Sequence, residues 1–65
     1  MKGRDLERLL RDAGCQLRRH GGRHDIWENP TNNRIATVPR HAELLAGTAR
    51  AIFRQLGLEA PSSGF

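Results

Sequence analysis

Apolar residues near the start of the chain recur at the spacing of one helix face. They stand at positions i, i+3, i+4 and i+7 of one stretch: Leu6, Leu9, Leu10 and Ala13. Asp5 and Glu7 lie where a helix dipole favours negative charge, and Gly3 is an acceptable N-cap. Gly14 follows the last apolar position and favours a helix end. The pattern predicts a helix from Arg4 to Ala13.

The same spacing returns after Thr48, in a second apolar stripe: Ala49, Ile52, Phe53 and Leu56. Thr48 is a favourable N-cap because its hydroxyl can accept a hydrogen bond from an amide of the first helical turn. Gly57 again supplies a stop. This pattern predicts a second helix. Four residues are expected to be buried where the helices meet the sheet: Leu6, Leu10, Ile52 and Phe53.

Between the predicted helices, apolar and polar residues alternate as they do in β-strands. Short strands are predicted over residues 15–20, 24–28 and 34–38. Gly21 and Gly22 separate the first two strands, and because glycine can adopt positive φ at little cost, we expect them to turn the chain sharply. Residues 29–33 read Asn-Pro-Thr-Asn-Asn, which is typical of a turn, and Pro39 ends the third strand. Strands joined by short turns indicate an antiparallel meander.

The predicted order of elements is α-β-β-β-α. This is an α+β fold in which a three-stranded antiparallel sheet carries both helices on one face. The other face would then be exposed or would meet a partner. Residues 40–46 are expected to connect the sheet to the second helix, with at most one helical turn. Residues 1–58 are predicted to form a single domain, and residues 59–65 have the composition of a frayed or disordered tail.

Length and charge narrow the possible functions. Because a chain of 65 residues buries only about 60% of its unfolded surface, we expect a shallow site near the surface. The formal net charge is +4, and Lys2 is the only residue among the 11 lysines and arginines that is not an arginine. The guanidinium group suits phosphate oxygens and stacks on bases. The charge therefore points to nucleic acid or to an acidic protein as the partner.

Cysteine usage and hydropathy suggest a compartment. Cys15 is the only cysteine, so no internal disulfide can form, which fits a reducing environment. We expect Cys15 to pack as a small apolar residue between helix and strand. The chain shows neither an export signal nor an apolar run of membrane length, so we expect a cytoplasmic protein without membrane contact.

Residues 18–27 bring several possible catalytic and phosphate-binding side chains close together in the sequence. They read Arg-Arg-His-Gly-Gly-Arg-His-Asp-Ile-Trp. The predicted turn places His24 at the first position of the second strand, beside Arg23. An imidazole that titrates near neutrality, next to cations that could hold a phosphate, suits catalysis on RNA. The competing interpretation is an ordinary hairpin turn with an exposed histidine, which the local spacing by itself favours. Trp27 is predicted to be core rather than a base-stacking platform.

Two other kinds of site are rejected. Residues 21–24 lack the Lys-Ser/Thr pair and the following helix of a phosphate-binding P-loop. A zinc site would have to be assembled from Cys15, His20, His24 and His41. The spacing of His20 and His24 suits a helix, which the intervening glycines oppose, and no CxxC or HExxH pattern is present. We therefore expect no metal and no other cofactor.

Taken in order along the chain, the motifs resemble those of the HicA-type toxins, small mRNA interferases of bacterial toxin–antitoxin pairs. The resemblance covers about residues 1–58. It rests on Met1-Lys2, Leu6 to Leu10, Gly14, Gly22-Arg23-His24, Trp27, Asn29-Pro30, Thr37-Val38-Pro39, Arg40-His41, Gly47-Thr48, Ile52 and Gln55-Leu56-Gly57. Arg23 departs from the pattern, because the family usually has serine there. An arginine at this position could hold phosphate instead.

The resemblance implies a double-stranded-RNA-binding-domain-like fold and a metal-independent endoribonuclease that cleaves mRNA. It also implies a single catalytic histidine, His24, and a HicB-type antitoxin that inhibits the enzyme. Neutral His24 would take the proton of a ribose 2′-OH, which attacks the adjacent phosphorus, while Arg23 offsets charge on the phosphorane. The acid for the leaving group stays open among His20, His41 and water. The residues expected to contact RNA are Arg18, Gly22, Arg23, Arg40 and His41.

Two further functions fit the same features. A non-catalytic RNA-binding module of this architecture would read duplex shape through phosphate and 2′-OH contacts, and would not cleave RNA in EDTA. A DNA-binding module would use the second helix, but its exposed face carries only Arg50 and Arg54, which is little for groove readout. If the chain is a toxin, we expect its antitoxin to bind the basic face that carries Arg23, His24 and Arg40.

Overall fold

The computed structural model describes residues 1–40 and 43–59. The order of elements is α-β-β-β-α, as predicted, and the three strands form one antiparallel sheet in the order β1-β2-β3. The elements are α1 (Gly3–Asp12), β1 (Gln16–His20), β2 (His24–Asn29), β3 (Arg34–Pro39) and α2 (Ala46–Gln55). Within the described residues, neither helix is long and apolar enough to cross a membrane. The predicted tail lies outside the described residues, apart from Glu59.

Helix α1 ends where the glycine signal predicted. Gly14 has a φ of +90°, which a residue with a side chain rarely adopts. The amide of Gly14 donates to Arg11 O at 3.0 Å, and the amide of Cys15 donates to Leu10 O at 2.9 Å. These two bonds are those of a Schellman motif, which satisfies carbonyls at a helix end. The predicted N-cap was wrong by one residue: Lys2 holds that position, and Gly3 is already helical.

Helix α2 starts earlier than its sequence predicted. Leu45 is the N-cap residue and Thr48 is the third residue of the helix, so the prediction of a Thr48 cap was wrong. The preceding residue, Leu44, is buried in the core at 4% exposure. Anchoring Leu44 there lets the helix begin directly after it, and this packing outweighs the capping preference of a threonine hydroxyl. Gly57, with φ +71°, ends the helix as predicted.

The hydrophobic core lies on one face of the sheet, against both helices. Along β2 and β3 the inward residues alternate with outward ones, so that Ala36 and Val38 are buried while Ile35 is 52% exposed. The buried apolar residues are Leu6, Leu10, Cys15, Trp27, Ala36, Val38, Leu44, Ala49, Ile52, Phe53 and Leu56. The predicted core positions are therefore confirmed, and burial raises the pKa of the Cys15 thiol.

Trp27 is the largest side chain of this core and is only 1% exposed. The guanidinium of Arg11 lies over its ring, 5.0 Å from the ring centroid. Trp27 therefore offers no face on which an RNA base could stack, and its prediction as a core residue is confirmed.

The turn between β2 and β3 is fastened to the end of α2 by two asparagine side chains. Asn29, which is only 4% exposed, donates from its amide to Leu56 O at 2.9 Å, and Asn32 donates to the same oxygen at 3.0 Å. The side-chain oxygen of Asn29 also accepts from the amide of Thr31 at 3.1 Å. The Asn-Pro turn thus joins the sheet to the helix layer, and its asparagines satisfy a carbonyl that α2 leaves free.

Replacing Asn29 with alanine should destabilise the fold, because Leu56 O keeps only one of its two side-chain donors and the buried turn loses an acceptor. We expect a loss of about 1–3 kcal/mol in the free energy of unfolding, measured by urea titration. Gln55→Ala, which removes an exposed amide at the end of α2, is the matched control and should change stability little. Equal midpoints for the two variants would contradict the role of Asn29.

Candidate active site at the β1–β2 hairpin

The turn between β1 and β2 is closed by its first glycine. The amide of Gly21 donates to His24 O at 2.9 Å. A Cβ atom on Gly21 would lie 2.5 Å from that same oxygen, whereas a Cβ on Gly22 would meet nothing within 4 Å. Among the described residues the glycines with positive φ are Gly14 and Gly57, so Gly21 and Gly22 turn the chain without a positive φ. Gly21 is required for close approach of two backbone segments instead.

The register of the sheet places His24 on the open face. His24 is the first residue of β2 and pairs with Pro39, and its side chain is exposed. Its neighbour Asp25 pairs with Val38, whose side chain belongs to the core face. Successive residues of a strand point to opposite faces, so His24 projects to the side away from the helices. The predicted strand-start position of His24 is confirmed.

An open depression surrounds this histidine. It has a volume of about 720 Å³ and is lined by Gly22, Arg23, His24 and Arg40. Arg23 and His24 are both exposed. The depression therefore presents the imidazole of His24 and the side chain of Arg23 to solvent. An arrangement of this kind can accept an extended phosphate backbone, because a backbone needs a surface rather than an enclosed cavity.

Three other residues were predicted to contact RNA: Arg18, Arg40 and His41. Where the structure describes them, their side chains bind other groups of the protein. Arg18 pairs with Glu28, with Arg18 Nη1 3.0 Å from Glu28 Oε2. Arg40 donates its guanidinium to the carbonyl oxygens of Gly21 and Gly22 within the protein. His41 lies outside the described residues. Of the predicted contacts, the structure brings Gly22, Arg23 and Arg40 together around His24.

His20 and Asp25 form a cross-strand pair that the sequence interpretation did not anticipate. They are opposite each other in the β1–β2 ladder, and His20 Nδ1 lies 3.0 Å from Asp25 Oδ1. A signal was available in the sequence, because His20 and Asp25 directly flank the four residues 21–24. Residues that flank such a short segment can face each other in an antiparallel pair. This pair lies on the core face and His24 on the open face, so His20 does not stand beside His24 as an acid.

A metal centre would need several ligands close together. Among the described residues there is no group of three histidine, cysteine or carboxylate side chains that could hold a metal ion. The chemistry that the hairpin offers in this part of the chain is that of an imidazole, arginines and one partly buried carboxylate.

Comparison with known proteins gives one match. The family described as HicA toxin of bacterial toxin–antitoxin matches residues 3–58. The match runs from the first residue of α1 to two residues beyond Leu56, so it includes every helix and strand of the structure. A search of curated proteins and a search of solved structures found no match.

The two glycines of the hairpin should respond differently to alanine. Gly21→Ala forces a Cβ against His24 O and should cost about 1–3 kcal/mol of stability, as overpacking does. Gly22→Ala has open space and a backbone that alanine can adopt, so it should leave stability unchanged or raise it by about 0.4–1 kcal/mol. Thermal melting of the two purified variants checks this, and indistinguishable melting temperatures would show that the close approach at Gly21 does not constrain the turn.

Proposed function

Because the chain belongs to the HicA toxin family of bacterial toxin–antitoxin systems, we propose that it is an endoribonuclease that cleaves mRNA with His24 as its base. We further propose that a HicB-type antitoxin inhibits it. The observation that carries the proposal is the position of His24, exposed at the start of β2 in a depression shared with Arg23. A histidine kept only for packing would be expected on the core face of this strand, where Asp25 and Trp27 lie.

The proposed reaction is an internal transesterification. Neutral His24 takes the proton of a ribose 2′-OH, and the 2′ oxygen attacks the adjacent phosphorus while the bond from phosphorus to the 5′ oxygen breaks. The products are a 2′,3′-cyclic phosphate and a free 5′-OH. Arg23 lines the same depression and would offset the negative charge that gathers on the phosphorane oxygens. A bound metal has no required part in these steps.

The acid that protonates the leaving oxygen is water in this proposal. The strand register places His20 on the opposite face of the sheet from His24. An exposed depression of this size admits solvent to the leaving group. An enzyme with one well-placed base and water as the acid accelerates the reaction less than an enzyme that positions both a base and an acid. We therefore expect a modest rate constant for the isolated toxin, because general acid–base groups each contribute typically about 10²–10⁴-fold.

The antitoxin is proposed to cover the open face of the sheet near the hairpin. Ile35 is 52% exposed on that face, and the exposed Arg23 and His24 stand at its end. Ile35 pairs with Glu28 and His24 pairs with Pro39, so the apolar and the basic side chains lie at opposite ends of this face. A partner that covers the face with an acidic rim near the hairpin suits both ends, and a net charge of +4 would attract such a partner at long range. A site in an open depression is most directly silenced by being covered.

His24→Ala should abolish RNA cleavage and growth arrest while leaving the fold intact, because the side chain is exposed. Cleavage is measured on a labelled RNA in EDTA, with a matched RNA that carries a 2′-deoxyribose at the cleaved position as the substrate control. Wild type should cut only the all-ribose RNA. Added imidazole should partly restore cleavage by His24→Ala.

Three results would contradict this assignment. A toxic His24→Ala variant would show that another group is the base. Cleavage of the 2′-deoxy RNA would exclude attack by the 2′ oxygen. RNA binding by wild type without any cleavage would favour the non-catalytic RNA-binding module.

Arg23→Glu should slow association with the antitoxin, most strongly at low ionic strength, because charges at an interface rim act mainly on the association rate. The same variant should bind RNA more weakly and with a smaller salt dependence. Arg54→Glu makes the same charge change on the exposed surface of α2 and serves as the control. If both variants associate with the antitoxin at the same rate across salt, the antitoxin does not cover the hairpin.

A further inference from the structure

We propose that Arg40 is a positioning residue that holds the β1–β2 hairpin, and with it His24, in place from the neighbouring strand end. This inference rests on the proposed function for its catalytic consequence, while its structural part stands independently. It differs from the expectation that Arg40 contacts RNA, since here the guanidinium acts on the protein's own backbone.

Arg40 contacts three successive carbonyl oxygens of the hairpin connection. Its Nη2 donates to Gly21 O and to Gly22 O. Its backbone amide donates to Arg23 O at 3.1 Å. The carbonyls immediately before His24 are thus all bound by one residue from the end of β3. Backbone carbonyls in a short connection otherwise turn to solvent, and this set fixes the orientation of the three peptides from Gly21 to His24.

The other two guanidinium nitrogens contact side chains on the core face of the sheet. Arg40 Nε lies 3.5 Å from Asp25 Oδ1, and Arg40 Nη1 contacts His20 Nε2. Asp25 Oδ1 is buried and, within the described residues, accepts no hydrogen bond of good geometry. Both Arg40 Nε and His20 Nδ1, which lies 3.0 Å away, are near this oxygen, and the guanidinium is the cation that offsets its charge, because a buried carboxylate without compensation is costly. Asp25 holds the guanidinium, and the guanidinium holds the hairpin.

A β-bulge in β1 makes this arrangement possible. Leu17 pairs with Trp27 and Arg19 pairs with Ile26, so Arg18 is an extra residue in the ladder. The extra residue reverses the alternation, and His20 instead of Arg19 shares a face with Asp25. A neutral histidine that carries its proton on Nδ1 can accept from Arg40 at Nε2, whereas a second arginine there would repel it. The bulge thus supplies an acceptor where an unbulged strand would have supplied a cation.

The geometry requires an arginine. The fork of the guanidinium reaches two carbonyls, a carboxylate and an imidazole from one side chain, which the single ammonium group of a lysine cannot do. Arg40 also lines both the depression around His24 and a second cleft of about 470 Å³ between α1 and the sheet. Arg40 therefore lies where the two cavities adjoin.

The test compares Arg40→Lys and Arg40→Gln with Arg54→Gln, an exposed arginine on α2, as the control. Amide exchange of Gly21, whose N–H donates to His24 O, reports on the hairpin without any need for activity. Both Arg40 variants should exchange this amide on the order of tenfold faster than wild type and the control. Both should lose about 10- to 100-fold in kcat on RNA, as expected for a displaced catalytic group, with KM little changed.

A direct contact between Arg40 and RNA gives a different result. Arg40→Lys would then keep kcat and Gly21 protection, and Arg40→Gln would raise KM with a smaller salt dependence of binding. That outcome would overturn the proposal. If wild type has no ribonuclease activity, the proposed function fails, but Gly21 exchange still decides the positioning role.

A milder variant covers the case in which the Arg40 variants do not fold. The His20 side chain is 64% exposed, so His20→Ala should fold while removing one contact of the guanidinium. It should accelerate Gly21 exchange less than the Arg40 variants would. Unchanged exchange in His20→Ala, with Arg40→Lys unfolded, would show that this cluster stabilises the core and does not position the hairpin.

Discussion

The central strand β2 is the element on which the rest of the molecule depends. It pairs along both edges, and its strict alternation divides six residues between two environments. Trp27 and Asn29 point to the helices, where one fills the core and the other binds the end of α2. His24 points to the open face. A shift of one residue in this register would bury the imidazole and expose the tryptophan. The register that forms the core is therefore the same register that exposes His24.

Arg40 connects the core face of β2 to the hairpin that precedes His24. Its contacts pass from Asp25 on the core face to the carbonyls before His24, so Arg40 ties the hairpin to the end of β3. The arrangement gives an exposed histidine a fixed backbone in a chain too small to enclose it. In a domain of this size a site cannot be made rigid by burial, and hydrogen bonds from a neighbouring strand end supply the rigidity instead.

Several motifs of the HicA pattern turn out to have structural reasons in this chain. The Asn-Pro turn fastens the sheet to α2 through Asn29 and Asn32. A Cβ on Gly57 would lie 2.5 Å from the amide nitrogen of Asn32, so it would displace the side chain that binds Leu56 O, and the φ of +71° already favours glycine there. The arginine that follows the Val-Pro strand end contacts the hairpin backbone. Among the described residues, the exposed side chains of the hairpin that no contact above explains include Arg19, Arg23 and His24.

The sequence by itself determined the order of elements, the core positions and the exposed strand-start position of His24. These follow from apolar spacing and from helix-ending glycines, which are local properties. Tertiary structure alone decided the start of α2, where burial of Leu44 outweighed the Thr48 cap, and the surroundings of Arg40. A bulge at Arg18 changes which side chains share a face, and no periodicity along one strand reveals that shift. Arginine can donate either to RNA phosphate or to backbone carbonyls, so only the tertiary structure showed that Arg40 binds the hairpin.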